Sequence, residues 1–306
     1  VRNGWLDYLK VVLAVMVIGL HSLVFLESFP ALSSFLCNGV FRAAVPLFFV
    51  ISGYFLPRET DSRKLYNWLK RILVLYAVWT LVYLPVFIWQ IPLTAVGVFR
   101  LLKVILFGYG HLWYLPALAV AAFITIKTKK LGSRFNLLLA LGLYCTGCTL
   151  LFYLLSSSPG IPPFYYYRNA VLFGLPFVLA GYYYNDLEHF FEKSRPVVLL
   201  LAFALFLVEI SIVKYFALGR SVDMYFSLII LCPAVFGWVK SHRPFESSLP
   251  LGKLSLALYL VHPFFVIYGK YWGVPEGSAL FFFSLISSTF AAIALVLFSR
   301  RFRFIL

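Results

Sequence analysis

Residues 5–28, WLDYLKVVLAVMVIGLHSLVFLES, decide how this chain is read. A helix that crosses the hydrocarbon layer needs about 20 mostly apolar residues, and this stretch supplies them from Tyr8 to Ser28. It also carries Asp7, Lys10 and His21 on one face. Each helical residue advances about 100°, so Lys10 and His21 return to within about 20° of each other and stand roughly 16 Å apart along the axis. A charged or titratable side chain in hydrocarbon costs roughly 3 kcal/mol or more, so such a stripe faces a partner, a cavity or a substrate path. A buried imidazole near neutral pH is the usual general base, which makes His21 a catalytic candidate. Asp7, one turn below Lys10, is placed to pair with it.

The same pattern repeats outward from this stretch. The chain has 306 residues, of which 62% are hydrophobic and 12% charged, with a mean hydropathy of +0.92. Those values exclude an ordinary soluble domain and predict an all-α polytopic membrane protein. Ten apolar segments are predicted, near 8–28, 40–57, 70–92, 111–128, 135–156, 166–185, 196–217, 222–241, 253–270 and 278–299. With a cytoplasmic N-terminus, Arg42, Arg100, Lys103, Arg168, Lys214, Arg220 and Lys270 fall outside, and the other 19 of the 26 Lys and Arg fall inside. That asymmetry predicts both termini in the cytoplasm.

The net charge of +15 resides in short loops between apolar runs, which excludes a nucleic-acid surface. The first run is long and holds His21, so it reads as a retained span and not a cleaved signal. Residues 94–110, with Arg100 and Lys103 among Val, Leu and Ile, read as an amphipathic helix at the outer interface. Linkers are short, and residues 1–306 are expected to form a single transmembrane domain. No internal repeat is visible, which counts against inverted-repeat transporter folds. Cys145 and Cys148 form a C-x-x-C inside an apolar run without a partner pair, so all four cysteines read as small buried hydrophobes.

Chemistry must be sought inside the membrane, because no P-loop, H-E-x-x-H or G-x-S-x-G occurs. No metal is expected. The second segment begins at Arg42, and its Pro46 frees a backbone carbonyl while Ser52-Gly53 permits close approach of a helix or ligand. In the ninth segment Ser255, Tyr259 and His262 follow at spacings of four and three, giving a second stripe that ends beside Pro263. His111-Leu112-Trp113-Tyr114-Leu115 opens the fourth segment, where an aromatic belt or a substrate site would both place such residues. Lys70 and Arg71 sit at an inner loop suited to topology or to an anionic phosphate. Arg168 follows Tyr165-Tyr166-Tyr167, a cation among aromatics that suits a sugar.

Together these pieces resemble the acyltransferase-3 family of integral-membrane acyltransferases that modify bacterial surface glycans. The resemblance runs from Trp5–Lys10 and His21 through Val45–Tyr54, Lys70-Arg71 and His111–Leu115 to Leu251–Pro263. It implies a stand-alone ten-helix domain in the bacterial inner membrane, moving an acyl group, usually acetyl, from cytoplasmic acyl-CoA to a glycan hydroxyl. It also implies a catalytic role for His21. Arg is frequent in that family where this chain has Lys10, which keeps the charge without the bidentate fork.

On this reading Ser52 or Tyr114 stabilises the oxyanion, and His262 is a second catalytic candidate. Lys10, Lys70 and Arg71 hold the phosphates of acetyl-CoA, the acyl donor. Arg42, His111, Trp113 and Arg168 meet a glycan or lipid-linked glycan acceptor. Two other readings stand beside it: a proton-coupled transporter or flippase for a glycolipid or small substrate, and an assembly scaffold for envelope enzymes.

Overall fold

The computed structural model describes residues 3–58, 62–92, 94–157, 163–191, 195–216, 222–299, 301 and 306. Arg2, Lys193, Arg220, Arg300 and Arg303, which enter the charge asymmetry, lie outside the described residues. The first apolar segment forms α1 (Gly4–Ser22), and the second forms α3 (Ala44–Tyr54) behind a separate short α2 (Pro30–Cys37). The third is α4 (Ser62–Phe87), followed by a connecting α5 (Ala95–Phe107). Next come α6 (Tyr114–Thr128) and α7 (Gly132–Ser157), then α8 (Leu175–Tyr182) and α9 (Tyr184–Phe191). The series closes with α10 (Arg195–Phe216), α11 (Leu228–Ser241), α12 (Leu251–Tyr271) and α13 (Ser278–Phe298).

Among the described residues, seven helical stretches are long and apolar enough to cross a membrane, and one of these, Gly110–Ser157, contains both α6 and α7. Ala170–Tyr182 and Leu228–Ser241 are shorter apolar helices. The protein is therefore all-α and largely hydrophobic, with about seven candidate spans, as a polytopic membrane protein requires. The helix expected over 94–110 is present as α5. Thr94 caps it by accepting from Gly97 N, and Val98, Phe99, Leu102 and Leu106 are exposed along it.

Several boundaries differ from the sequence reading, among them the start of α4 at Ser62 instead of 70 and of α8 at Leu175 instead of 166, and two have a physical reason in their hydrogen bonds and backbone. α1 stops at Ser22 instead of continuing to residue 28, because Leu23 (φ 55°) and Phe25 (φ 68°) adopt left-handed backbone. Each such residue costs about 1–2 kcal/mol. The turn is held by hydrogen bonds from Val24 N to Gly19 O (3.1 Å) and from Gly277 N to Ser22 O (2.9 Å). The Ser33 hydroxyl adds a third, to Leu23 O (3.2 Å). His21 thus occupies the last turn of α1 and not the middle of a span. The second boundary is α11, which starts at Leu228 instead of residue 222. Glu209 on α10 accepts from Phe226 N (2.6 Å) and Ser227 N (2.8 Å), satisfying amides at the helix start and placing a negative charge there.

The tightest crossing joins α3 to α8. A Cβ on Gly53 would lie 2.2 Å from Val178 O, and one on Gly181 would lie 2.0 Å from Val50 O, so the two backbones touch. Without a hydrophobic force between helices in lipid, such contact through small residues supplies dispersion that bulkier pairs cannot reach. The prediction is that Gly53→Ala and Gly181→Ala each lower stability in detergent by about 1–3 kcal/mol or more, read as a fall in thermal midpoint.

Candidate active site

His262 is oriented by the residue that follows it. Pro263 has no N–H, so inside α12 it leaves the carbonyl of Tyr259 without its helical donor. The His262 ring takes that position: Nδ1 lies 2.8 Å from Tyr259 O and 3.2 Å from Leu258 O. Carbonyls only accept, so Nδ1 carries the proton and Nε2 keeps the lone pair. That Nε2 is buried with no hydrogen-bond partner among the described residues.

Two other imidazoles surround it. The His21 ring lies 5.5 Å from that of His262 at an interplanar angle of 31°, and the His111 ring lies 5.5 Å away at 68°. His21 is exposed to the space beside it, whereas His111 and His262 are buried. The three rings thus face one another with the His262 lone pair among them, and no hydrogen bond joins His21 to it.

The space beside His21 is a cavity of about 220 Å³, lined among others by His21, Arg42, His111, Trp113, Arg168 and Asp223. Asp223 sits between two guanidinium groups. It pairs with Arg42 and, at 3.0 Å, with Arg168. Arg42 also donates to Cys37 O (3.0 Å) and Asn38 Oδ1 (3.2 Å), while Arg168 lies over the rings of Trp113 and Phe164. Two cations against one anion leave this end of the cavity positive. Asp223 is a site residue that sequence reasoning missed, while Tyr259, named there only within the ninth-segment stripe, also lines this cavity. Asp223 is one of only eleven Asp and Glu, at the edge of an apolar segment on the side assigned to Arg42 and Arg168. An isolated acid facing two such cations was the available signal.

A second cavity of about 340 Å³ is lined by Lys10, Ser52, Phe55, Trp68, Arg71 and Ser255, among others. Lys10 bonds Asp7 at 3.0 Å, the pairing expected from the sequence, and stands over the Phe55 ring. Lys70 is exposed on α4 and lies outside the lining of both cavities. Tyr114 Oη and Ser52 Oγ are 2.8 Å apart, and Tyr114 donates to Phe48 O at 3.1 Å, so the Ser52 hydroxyl donates to Tyr114. The α1 stripe thus faces two cavities, Lys10 on one and His21 on the other, which share Val45, Tyr114 and Tyr259 as a common wall.

A family model described as an acyltransferase domain matches residues 3–298, and the chain belongs to this acyltransferase-3 family. Among curated proteins it is similar to a serine/alanine racemase of Enterococcus gallinarum, 27% identical over 288 residues, covering 86% of this chain and 41% of that protein. It is also similar to an amino-acid racemase of Enterococcus faecalis, 24% identical over 329 aligned residues, covering 98% of this chain and 47% of that protein. The chain thus spans less than half the length of these relatives. No solved structure matches it.

Breaking the charge cluster should be costly, because removing one partner of a largely buried pair leaves the other charge uncompensated. Asp223→Ala is expected to destabilise the protein by about 3–5 kcal/mol. Adding Arg168→Ala in that background should cost much less than Arg168→Ala alone, a coupling that thermal unfolding of the four proteins measures.

Proposed function

We propose that this chain is a membrane O-acyltransferase that moves an acyl group, acetyl in the first instance, from cytoplasmic acyl-CoA to a hydroxyl of a bacterial surface glycan or its lipid-linked precursor. The reading places it in the inner membrane as one domain of ten crossings with both termini cytoplasmic, on the charge asymmetry of its loops. The observation that carries it is the accessible His21 imidazole, backed by the fixed lone pair of His262 and set in a positive cavity against a second cavity holding Lys10 and Arg71. Membership of the acyltransferase family supports the reaction class.

In this mechanism Lys10 and Arg71 draw the CoA phosphates to the mouth of the larger cavity. Lys70, exposed beside Arg71 in sequence, adds charge outside the lining. The acceptor sugar lies in the smaller cavity against Arg42, Trp113 and Arg168, with His111 behind it. His21 takes the proton of the acceptor hydroxyl as its oxygen attacks the thioester carbonyl. The C–S bond then breaks, the new C–O ester remains on the sugar, and the proton passes from His21 to the departing CoA thiolate. Tyr114 turns its proton from Phe48 O toward the developing oxyanion, and Ser52 follows it.

Transport of a small polar substrate is the second reading. It is favoured by two adjoining cavities that share one wall, and the names of the racemase relatives supply serine and alanine as candidate substrates. The two readings part on one assay. Everted vesicles containing the wild-type chain should transfer acetyl from acetyl-CoA to endogenous glycan with release of CoA thiol, and His21→Ala should be slower by about a hundredfold or more. Equal rates in a stably inserted His21→Ala protein would overturn the role of His21. Counterflow of labelled serine or alanine without CoA release would favour transport.

A further inference from the structure

The residues between the two cavities are packed against one another and held at their polar ends. Tyr114 and Tyr259 stand edge to face with ring centroids 5.7 Å apart, and Phe48 packs beside both, at 6.3 and 6.4 Å. Val45 completes the surface that the two cavities share. Both tyrosine hydroxyls are tethered. Tyr114 is held by Ser52 and Phe48 O, and Tyr259 donates to the carbonyl of His111. Each ring is thereby fixed at its far end as well as at its backbone, and neither swings aside without losing a hydrogen bond, part-buried at Tyr114 and buried at Tyr259.

This geometry has a consequence for the donor. Lys10 and Arg71 lie on one side of the wall and His21 on the other, so the thioester carbonyl must reach through it with the acyl group attached. We propose that Val45, Tyr114 and Tyr259 form an aperture that selects the acyl group by size, admitting acetyl and rejecting longer chains, with the Tyr259–His111 hydrogen bond as the tether that keeps it small. The inference rests on the acyltransferase reading above and adds to it the residues that set donor specificity. Size exclusion is the mechanism, because a rigid aromatic surface that meets extra methylenes must either shift or refuse them.

The test uses everted membrane vesicles containing the full chain, supplied with acetyl-, butyryl- or hexanoyl-CoA, with endogenous envelope glycan as acceptor. Ester-linked acids are released by alkali and quantified. The wild-type chain should transfer acetyl over hexanoyl by about tenfold or more, the discrimination expected of a pocket that senses methylenes. Val45→Ala enlarges the aperture and Tyr259→Phe releases the tether. Each should lower the acetyl-to-hexanoyl ratio by about fivefold or more, within the range that one pocket contact controls. Because each ratio is taken within one preparation, loss of folded protein cancels from it. Acetyl transfer with an unchanged ratio in both variants overturns the aperture and leaves the acyltransferase reading standing. Wild-type transfer of hexanoyl as fast as acetyl does the same. Failure of the wild-type chain to transfer any acyl group above vesicles lacking it overturns both.

Discussion

The contact of the α3 and α8 backbones at Gly53 and Gly181 sets the spacing on which the site depends. Helix α3 presents Val45 and Phe48 to the wall and Ser52 to the larger cavity, while the segment leading into α8 carries Arg168 and Phe173 at the smaller one. A side chain at either glycine would have to enter a carbonyl of the other helix. Separating these helices would move the floor of both cavities at once. The π-helical turn at Ala170–Gly174, started by Asn169 accepting from Val171 N and Leu172 N, then directs Phe173 onto Phe49 and Trp113. Local irregularity and tight packing serve the same end. They hold aromatic walls at fixed distances around a small polar interior.

Within that interior, polar atoms are oriented by backbone defects. Pro263 frees a carbonyl and His262 takes it, so an imine nitrogen is left buried and aimed among imidazoles. Asp223 lies in a non-helical approach to α11, where it can meet Arg42 and Arg168 together. Glu209 makes that approach possible by capping the helix that follows. An uninterrupted helix from residue 222 would have closed those amides on its own carbonyls and turned Asp223 with the helical phase.

Much of this was legible in the sequence. Apolar periodicity located the helical segments, and the residues His21, His111, Tyr114 and His262 chosen for their chemistry do converge around neighbouring cavities. Hydropathy reports length poorly where the chain stays apolar through a turn, which is why Leu23, Val24 and Phe25 concealed the end of α1. It also says nothing of which polar side chains meet across helices. Asp223 offered only a weak signal, an isolated acid on the same side as two arginines, because its meaning comes from partners 181 and 55 positions away. The wall at Val45, Tyr114 and Tyr259 comes from three different helices, and no local pattern encodes such a meeting.

The turn after His21 ties the two ends of the fold together. Glu27 accepts from Ser278 N at 2.9 and 3.0 Å, and Gly277, at φ 116°, leaves no room for a Cβ beside that carboxylate. The turn that follows the His21 imidazole is therefore braced by the start of α13. During synthesis α1 is made long before α13, so a ribosome-bound chain holds its histidine without its brace.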